Sequence, residues 1–242
     1  MNITKKLFAL LLAGMLVVSS MTACRGKTDG DDKNQMNDNI TVADNTPPTP
    51  EAYMEVVRSD ADMIIHKVVR YGTEDGEKKY EYTYERDGNL MKVTTVIIGT
   101  MTSTDGTTVR YHDFANAKVY VAPSKKWTTN PSYDSWEEYL KDDLTLIFSK
   151  LSNEEPVWKN GNYCKDGDRY VMTEEAVNAI VDQENFHDSY GENPVYSVSF
   201  EKKDGAYVFI ERLQGEDESI YMENIITVTL KDVTVELPKV DE

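Results

Sequence analysis

Apolar and polar residues alternate with a period of two along most of the chain after residue 58, and the runs are punctuated by Asx-Gly pairs. Asp-Gly stands at 75–76, 87–88, 105–106, 166–167 and 204–205, and Asn-Gly at 160–161, each flanked by β-branched or aromatic residues. That combination predicts hairpins and hence antiparallel strands. In EKKYEYTYERDGNLMKVTTVIIG, a two-residue Asp87-Gly88 loop pairs Tyr84 with Met91, Tyr82 with Val93 and Tyr80 with Thr95. Tyr80, Tyr82, Tyr84, Met91, Val93 and Ile97 then share one face, and Lys79, Glu81, Thr83, Glu85, Lys92 and Thr94 the other. A three-residue loop around Gly205 pairs Phe200 with Val208 and Val198 with Ile210. Ile220, Met222, Ile226, Val228 and Leu230 share a face, and DVTVELP, residues 232–238, alternates once more.

Three segments carry a helical period instead. Thr49 and Pro50 open a short helix bearing Tyr53, Val56 and Val57. The longest stripe is Trp136, Tyr139, Leu140, Leu144, Ile147, Phe148 and Leu151, with Ser135 and Glu138 placed for a capping box, which predicts a helix over 135–151. A weaker helix follows Thr173, with Val177, Ile180 and Val181 on one stripe.

These elements predict an α+β fold: a large curled antiparallel sheet of about 9–11 strands, covered by two or three helices. The order of early helix, meandering strands, mid-chain helix and closing strands over residues 50–238 resembles the LolA/LppX-type half-barrel. The resemblance is one of element order, without a diagnostic motif. It implies a concave apolar sheet closed by helices, with a lipid or acyl chain between them.

The start of the chain has another character. MNITKK precedes about fifteen mostly apolar residues and a small-residue region, the form of a secretory signal peptide, and the run is too short to span a membrane. Met21 to Cys24, MTAC, resembles the lipobox of bacterial lipoproteins, with Met21 where a branched aliphatic is usual. The resemblance implies cleavage before Cys24 and its lipidation; an ordinary secretory signal beside a coincidental cysteine is the alternative. The expected organisation is a signal peptide over 1–23, a lipidated Cys24 and disordered acidic tether over 24–48, and a single half-barrel domain over 49–242. The tether, as a flexible coil, spans about 25–30 Å. The protein is expected at the extracytoplasmic face of the cell membrane, held by lipid without crossing it.

Charge narrows the partners. Residues 1–23 hold two lysines and no acid, so the remainder carries 24 Lys and Arg against 43 Asp and Glu, a formal charge of −19. Such a chain repels phosphate backbones, which excludes nucleic acid as a partner. With Cys24 lipidated, the mature domain forms no intramolecular disulfide and rests on its core.

Catalytic chemistry is not apparent. His66, His112 and His187 fall in different predicted elements and no serine has a GxSxG setting. No two of these histidines and Cys164 have zinc-ligand spacing, and DGDD in the tether lacks the rest of a calcium loop. Cys164 reads as a half-exposed strand residue, with a reactive thiol as the alternative. Acidic pairs such as Asp142–Asp143 arise by chance among so many carboxylates. No enzyme activity, cofactor or metal is expected.

The 15 tyrosines stand out, because tyrosine suits a surface apolar along its body and wet at its tip. The tyrosine face is either sheet packing against helix 135–151 or a cavity lining of Tyr80, Tyr82, Tyr84, Met91, Val93, Ile97, Leu140 and Leu144, with Trp127 and Trp136 at its mouth. The first alternative fits a surface interaction or accessory module with a filled core; the second fits a protein that binds or transfers a lipid or other apolar ligand.

Overall fold

The computed structural model describes residues 48–73, 76–99, 106–129, 133–144, 146–148, 157–181, 194–215 and 219–239. The segment read as signal peptide, Cys24 and tether lies outside them, apart from Pro48. Among the described residues three α-helices, α1 (Pro50–Arg58), α2 (Trp136–Asp143) and α3 (Glu174–Ile180), accompany eleven strands. The strands are β1 (Met63–Thr73), β2 (Gly76–Asp87), β3 (Leu90–Gly99), β4 (Gly106–Asp113), β5 (Lys118–Val121), β6 (Lys126–Thr129), β7 (Tyr163–Asp166), β8 (Arg169–Met172), β9 (Val195–Lys203), β10 (Ala206–Gln214) and β11 (Ile220–Leu230). They form one open sheet in the order β6-β5-β4-β3-β2-β1-β11-β10-β9-β8-β7, antiparallel throughout. The fold is α+β, as the alternation predicts. Among the described residues no helix is long and apolar enough to cross a membrane.

The topology places a demand on the middle of the chain. Strands β6 and β7 are neighbours in sequence but occupy opposite edges of the sheet. The connection between them must therefore pass from one edge to the other, and α2 lies within it. Helices α1, α2 and α3 bury Tyr53, Val57, Trp136, Leu140, Ala176 and Ile180 in one core with Met63, Ile65, Tyr84, Met91, Phe200 and Phe209 of the sheet. At its centre Tyr53, Trp158, Phe200 and Phe209 pack with ring centroids 5.2–6.4 Å apart, within the range of favourable aromatic pairs.

The local signals at the helix starts hold. The Ala52 amide donates to Thr49 Oγ1 at 3.2 Å, the Glu138 amide to Ser135 Oγ at 3.3 Å and the Ala176 amide to Thr173 Oγ1 at 3.2 Å, each satisfying a donor that the first helical turn leaves open. Asn160-Gly161 departs from expectation: it sits in a 3₁₀ turn before β7 rather than in a hairpin. The Asn160 side chain is taken up by α1, donating from Nδ2 to Glu51 Oε2 at 2.8 Å while its Oδ1 accepts from the Glu51 amide at 3.2 Å.

Two hairpins differ in register from the count along the sequence, with opposite consequences. In β2–β3 the turn is Gly88-Asn89, so Tyr84 faces Val93, Tyr82 faces Thr95 and Tyr80 faces Ile97. This shift by two residues leaves every side chain on its expected face. In β9–β10 the loop has two residues, Asp204 and Gly205, both with positive φ (52° and 80°), as a type I′ turn requires. Phe200 therefore faces Phe209 and Val198 faces Glu211, a shift by one that turns Phe209, Glu211 and Leu213 toward the helices and Val208 and Ile210 away.

Two further expectations are corrected. Helix α2 ends at Asp143 with Leu144 as its cap, not at residue 151. Residues 231–239 form no strand, because both neighbours of β11 are already paired and no free edge is within reach of the tail. The Val235 amide instead donates to Asp87 Oδ2 at 3.1 Å.

The β9–β10 turn sets which face β10 presents, so it is the local feature on which the core most depends. Gly205→Ala is expected to cost about 1–2 kcal/mol, the penalty of a left-handed conformation for a residue with a Cβ, read as a lower urea midpoint at unchanged slope. An unchanged midpoint would contradict the turn assignment.

Candidate functional site

On the helix-covered face the central strands carry charged and polar residues among the apolar ones. Glu211 of β10 and Asn224 of β11 are fully buried, and Lys67 of β1 nearly so. The Glu211 carboxylate accepts four sets of hydrogen bonds: from the Ile147 amide at 2.9 and 3.0 Å, the Phe148 amide at 3.4 Å, Tyr196 Oη at 2.8 Å and Asn224 Nδ2 at 3.0 Å. Lys67 Nζ donates to the Asp143 backbone oxygen and lies 3.8 Å from its carboxylate. The Tyr84 hydroxyl donates to the same carboxylate.

This arrangement ends α2. A continuing helix would join the Asp143 carbonyl to the Ile147 amide; here Lys67 takes the carbonyl and Glu211 the amide. Burial pushes the Glu211 carboxyl above its ordinary value against the pull of its donors. It also pushes the Lys67 ammonium down, against the Asp143 and Glu211 charges that raise it. The two opposite charges interact across the face, which offsets part of the cost of removing each from water.

Beside this cluster the β2 tyrosines form a ladder. Tyr84, Tyr82 and Tyr80 stack at 6.4 and 6.5 Å, and Tyr71 of β1 meets Tyr80 edge-on at 6.2 Å. Tyr84 is fully buried, whereas Tyr82, Tyr80 and Tyr71 are half-buried. The residues read as a possible cavity lining divide accordingly. Met91, Val93, Trp136, Leu140 and Leu144 join Tyr84 in the core, while Ile97 is half-buried with Tyr80 and Tyr82.

The two tryptophans expected to sit together do not. Trp136 is buried under the Arg86 guanidinium, 3.7 Å from its ring centroid. Trp127 pairs with Tyr120, itself opposite Tyr111, and strand alternation puts this trio on the uncovered face. Arg86, almost completely buried, also donates to the carbonyls of Ser59 and Ala61, tying the α1–β1 connection to the sheet.

A second polar group lies toward β4. His112 is 4 % exposed, and neither ring nitrogen has a hydrogen-bond partner. Its ring lies 4.7 Å from Tyr139 and 5.5 Å from Phe114. Burial, reinforced by the Arg110 charge, lowers its pKa from 6.5 to about 4. His66 is exposed on the other face, and His187 is outside the described residues. Cys164 is half-buried on β7, its Sγ 3.6 Å from the Val171 carbonyl oxygen. Among the described residues no cluster of His, Cys, Asp and Glu is arranged to hold a metal ion.

Glu211 and Lys67 are the residues that sequence reasoning missed. A two-residue reading of the Asp204-Gly205 loop is the signal that places Glu211 inward. Nothing local marks Lys67, whose partner is 76 positions away.

The His112 shift has a measurable consequence. Between pH 6.5 and about 4 the unfolded chain binds a proton that the folded state does not. Stability therefore falls as pH falls through this window, by at most about 1.4 kcal/mol per pH unit from this group. His112→Phe keeps a ring against Phe114 and Tyr139 and should flatten the decline measured by urea unfolding across the window. An identical slope in the variant would show that His112 is not a source of it.

No family model matches the chain and no curated protein matches it, so its function is read from the residues and geometry above.

Proposed function

We propose that the protein is a non-enzymatic, lipid-anchored extracytoplasmic lipoprotein whose domain, an antiparallel half-barrel under helices, binds or passes on an apolar ligand, a lipid or acyl chain. The observation that carries this reading is the tyrosine ladder. It starts as a buried core element at Tyr84 and continues into half-buried Tyr82, Tyr80 and Tyr71. A row of aromatic rings that runs from the core to a half-buried rim suits an extended apolar chain, with Lys67 Nζ 5.5 Å from the Tyr82 ring centroid and Lys78 Nζ 4.9 Å from that of Tyr80. The signal-like start, MTAC and the acidic tether support a tethered location.

A second reading has its own support. Met91, Val93, Leu140 and Leu144, candidates for a cavity, are core residues here, as a filled-core interaction module requires. Its surface would engage a protein partner instead of a small molecule.

Ligand binding separates the two. With Cys24→Ala in the full chain, purified without detergent, native mass spectrometry should show a bound lipid or fatty acid that is lost on denaturation. Tyr80→Ala should weaken uptake of an acyl-chain probe about tenfold, ~1.4 kcal/mol, while costing less stability than the roughly 3–5 kcal/mol of a truncated core aromatic. A clean apo mass and no uptake would favour the interaction module.

The anchor is tested separately. Cys164 is the chain's one other cysteine, so a disulfide through Cys24 is the direct competitor of a thioether at the same sulfur. Membrane-extracted protein should yield an N-terminal Cys24 peptide carrying diacylglycerol, and Cys24→Ala should leave the membrane fraction. A Cys24 peptide cross-linked to Cys164 would overturn lipidation.

A further inference from the structure

The inference here rests on the reading of the tyrosine ladder as an apolar-ligand face and concerns the ligand's other end. Arg110 of β4 faces Val93 of β3 and Val121 of β5. It therefore stands on the helix-covered face, in the row that begins at Tyr84. Its residue is exposed, and its guanidinium has no hydrogen bond or ion pair among the described residues. Burial and then the Asp143 charge raise the pKa of Tyr82 and Tyr139 while the Arg110 charge opposes them, and the Arg110 charge adds to the burial that lowers that of His112. The Arg110 charge thus acts on all three, and the register sets Arg110 two residues from His112 on the same face.

The surrounding groups are also uncommitted. The Tyr82 and Tyr139 hydroxyls have no hydrogen-bond partner among the described residues, and neither do the two nitrogens of the buried His112. The Tyr139 ring lies 4.9 Å from Tyr133 and 4.7 Å from His112, so it is held from two sides. The nearby acid, Asp143, is engaged by Lys67 and the Tyr84 hydroxyl. Buried polar atoms normally find partners. Unpartnered polar groups on the same face as an aromatic row are the pattern of a site that orients a ligand by its polar end.

We propose that the ladder's ligand is an anionic amphiphile whose carboxylate or phosphate oxygens are held by the Arg110 guanidinium and the Tyr82 and Tyr139 hydroxyls, with its chain along Tyr82, Tyr80 and Tyr71. The guanidinium fork matches the paired oxygens of either head. The chain as a whole carries a formal charge of −17, so its general field repels anions. Preference for an anionic head is then local to Arg110 rather than a property of the surface.

The test uses the full chain carrying Cys24→Ala, purified without detergent, and two fluorescent probes: cis-parinaric acid and its methyl ester. The acid should bind about tenfold more tightly than the ester, the size of one hydrogen-bonded charge contact. Arg110→Gln should remove that preference and leave ester affinity unchanged, and circular dichroism should show the fold retained because the replaced side chain has no partners. Inorganic phosphate alone should not displace the acid, since the chain supplies most of the affinity. Equal binding of acid and ester, or a preference that survives Arg110→Gln, would overturn the headgroup site while leaving the apolar-ligand reading intact. Displacement by inorganic phosphate would overturn the amphiphile in favour of a bare anion site. Binding of neither probe would overturn the ladder reading itself and this inference with it.

Discussion

A helical hydrogen bond that the chain does not make, between the Asp143 carbonyl and the Ile147 amide, determines how the helices meet the sheet. Lys67 holds the carbonyl and Glu211 holds the amide, so a buried cation and a buried anion divide between them the two ends of one bond. Either charge alone would be costly to bury, and each is hydrogen-bonded here as well as opposed by the other. Continued to residue 151, the helix would extend about 12 Å further and leave the Glu211 carboxylate buried without the two amides that it now accepts from. The chain turns instead, Leu144 and Leu146 enter the core, and Phe148 meets Tyr196 edge-on at 6.3 Å.

The topology gives this contact its importance. The segment joining β6 to β7 must travel between opposite edges of an eleven-stranded sheet, and a long connection needs fixing where it passes the middle. Lys67 on β1 and Glu211 on β10 belong to the central strands, with β11 between them, so the segment is held at the middle of its path. Tyr84 donating to Asp143 joins the tyrosine ladder to the same fixing point. The innermost ring of the ladder is thereby set by the polar cluster, while the outer rings are half-buried.

Features governed by neighbours in sequence were legible from the chain alone. Thr49, Ser135 and Thr173 cap the three helices as their positions suggest, and the alternation in β2 and β3 assigns each tyrosine to its face even though the register is displaced by two. Features governed by distant residues were not. The stripe from Trp136 to Leu151 keeps a helical period to its end, and only Lys67 and Glu211, remote in sequence, account for the helix stopping at Asp143. One residue of loop length between β9 and β10 was enough to hide Glu211, because a single-step shift exchanges the two faces of a strand. The alternation at 232–238 failed as a strand signal for a topological reason: β11 has no open side. Trp127 was misplaced because its face depends on the hairpins counted from β3 to β6.

The most direct measurement is backbone amide exchange at Ile147 and Phe148 in the wild-type protein and in Glu211→Ala. If the Glu211 carboxylate holds this segment to the sheet, both amides are protected in the wild type and lose protection selectively in the variant, while the paired amides of β1 and β11 exchange as before. Equal protection of Ile147 and Phe148 with and without the carboxylate would contradict the central claim.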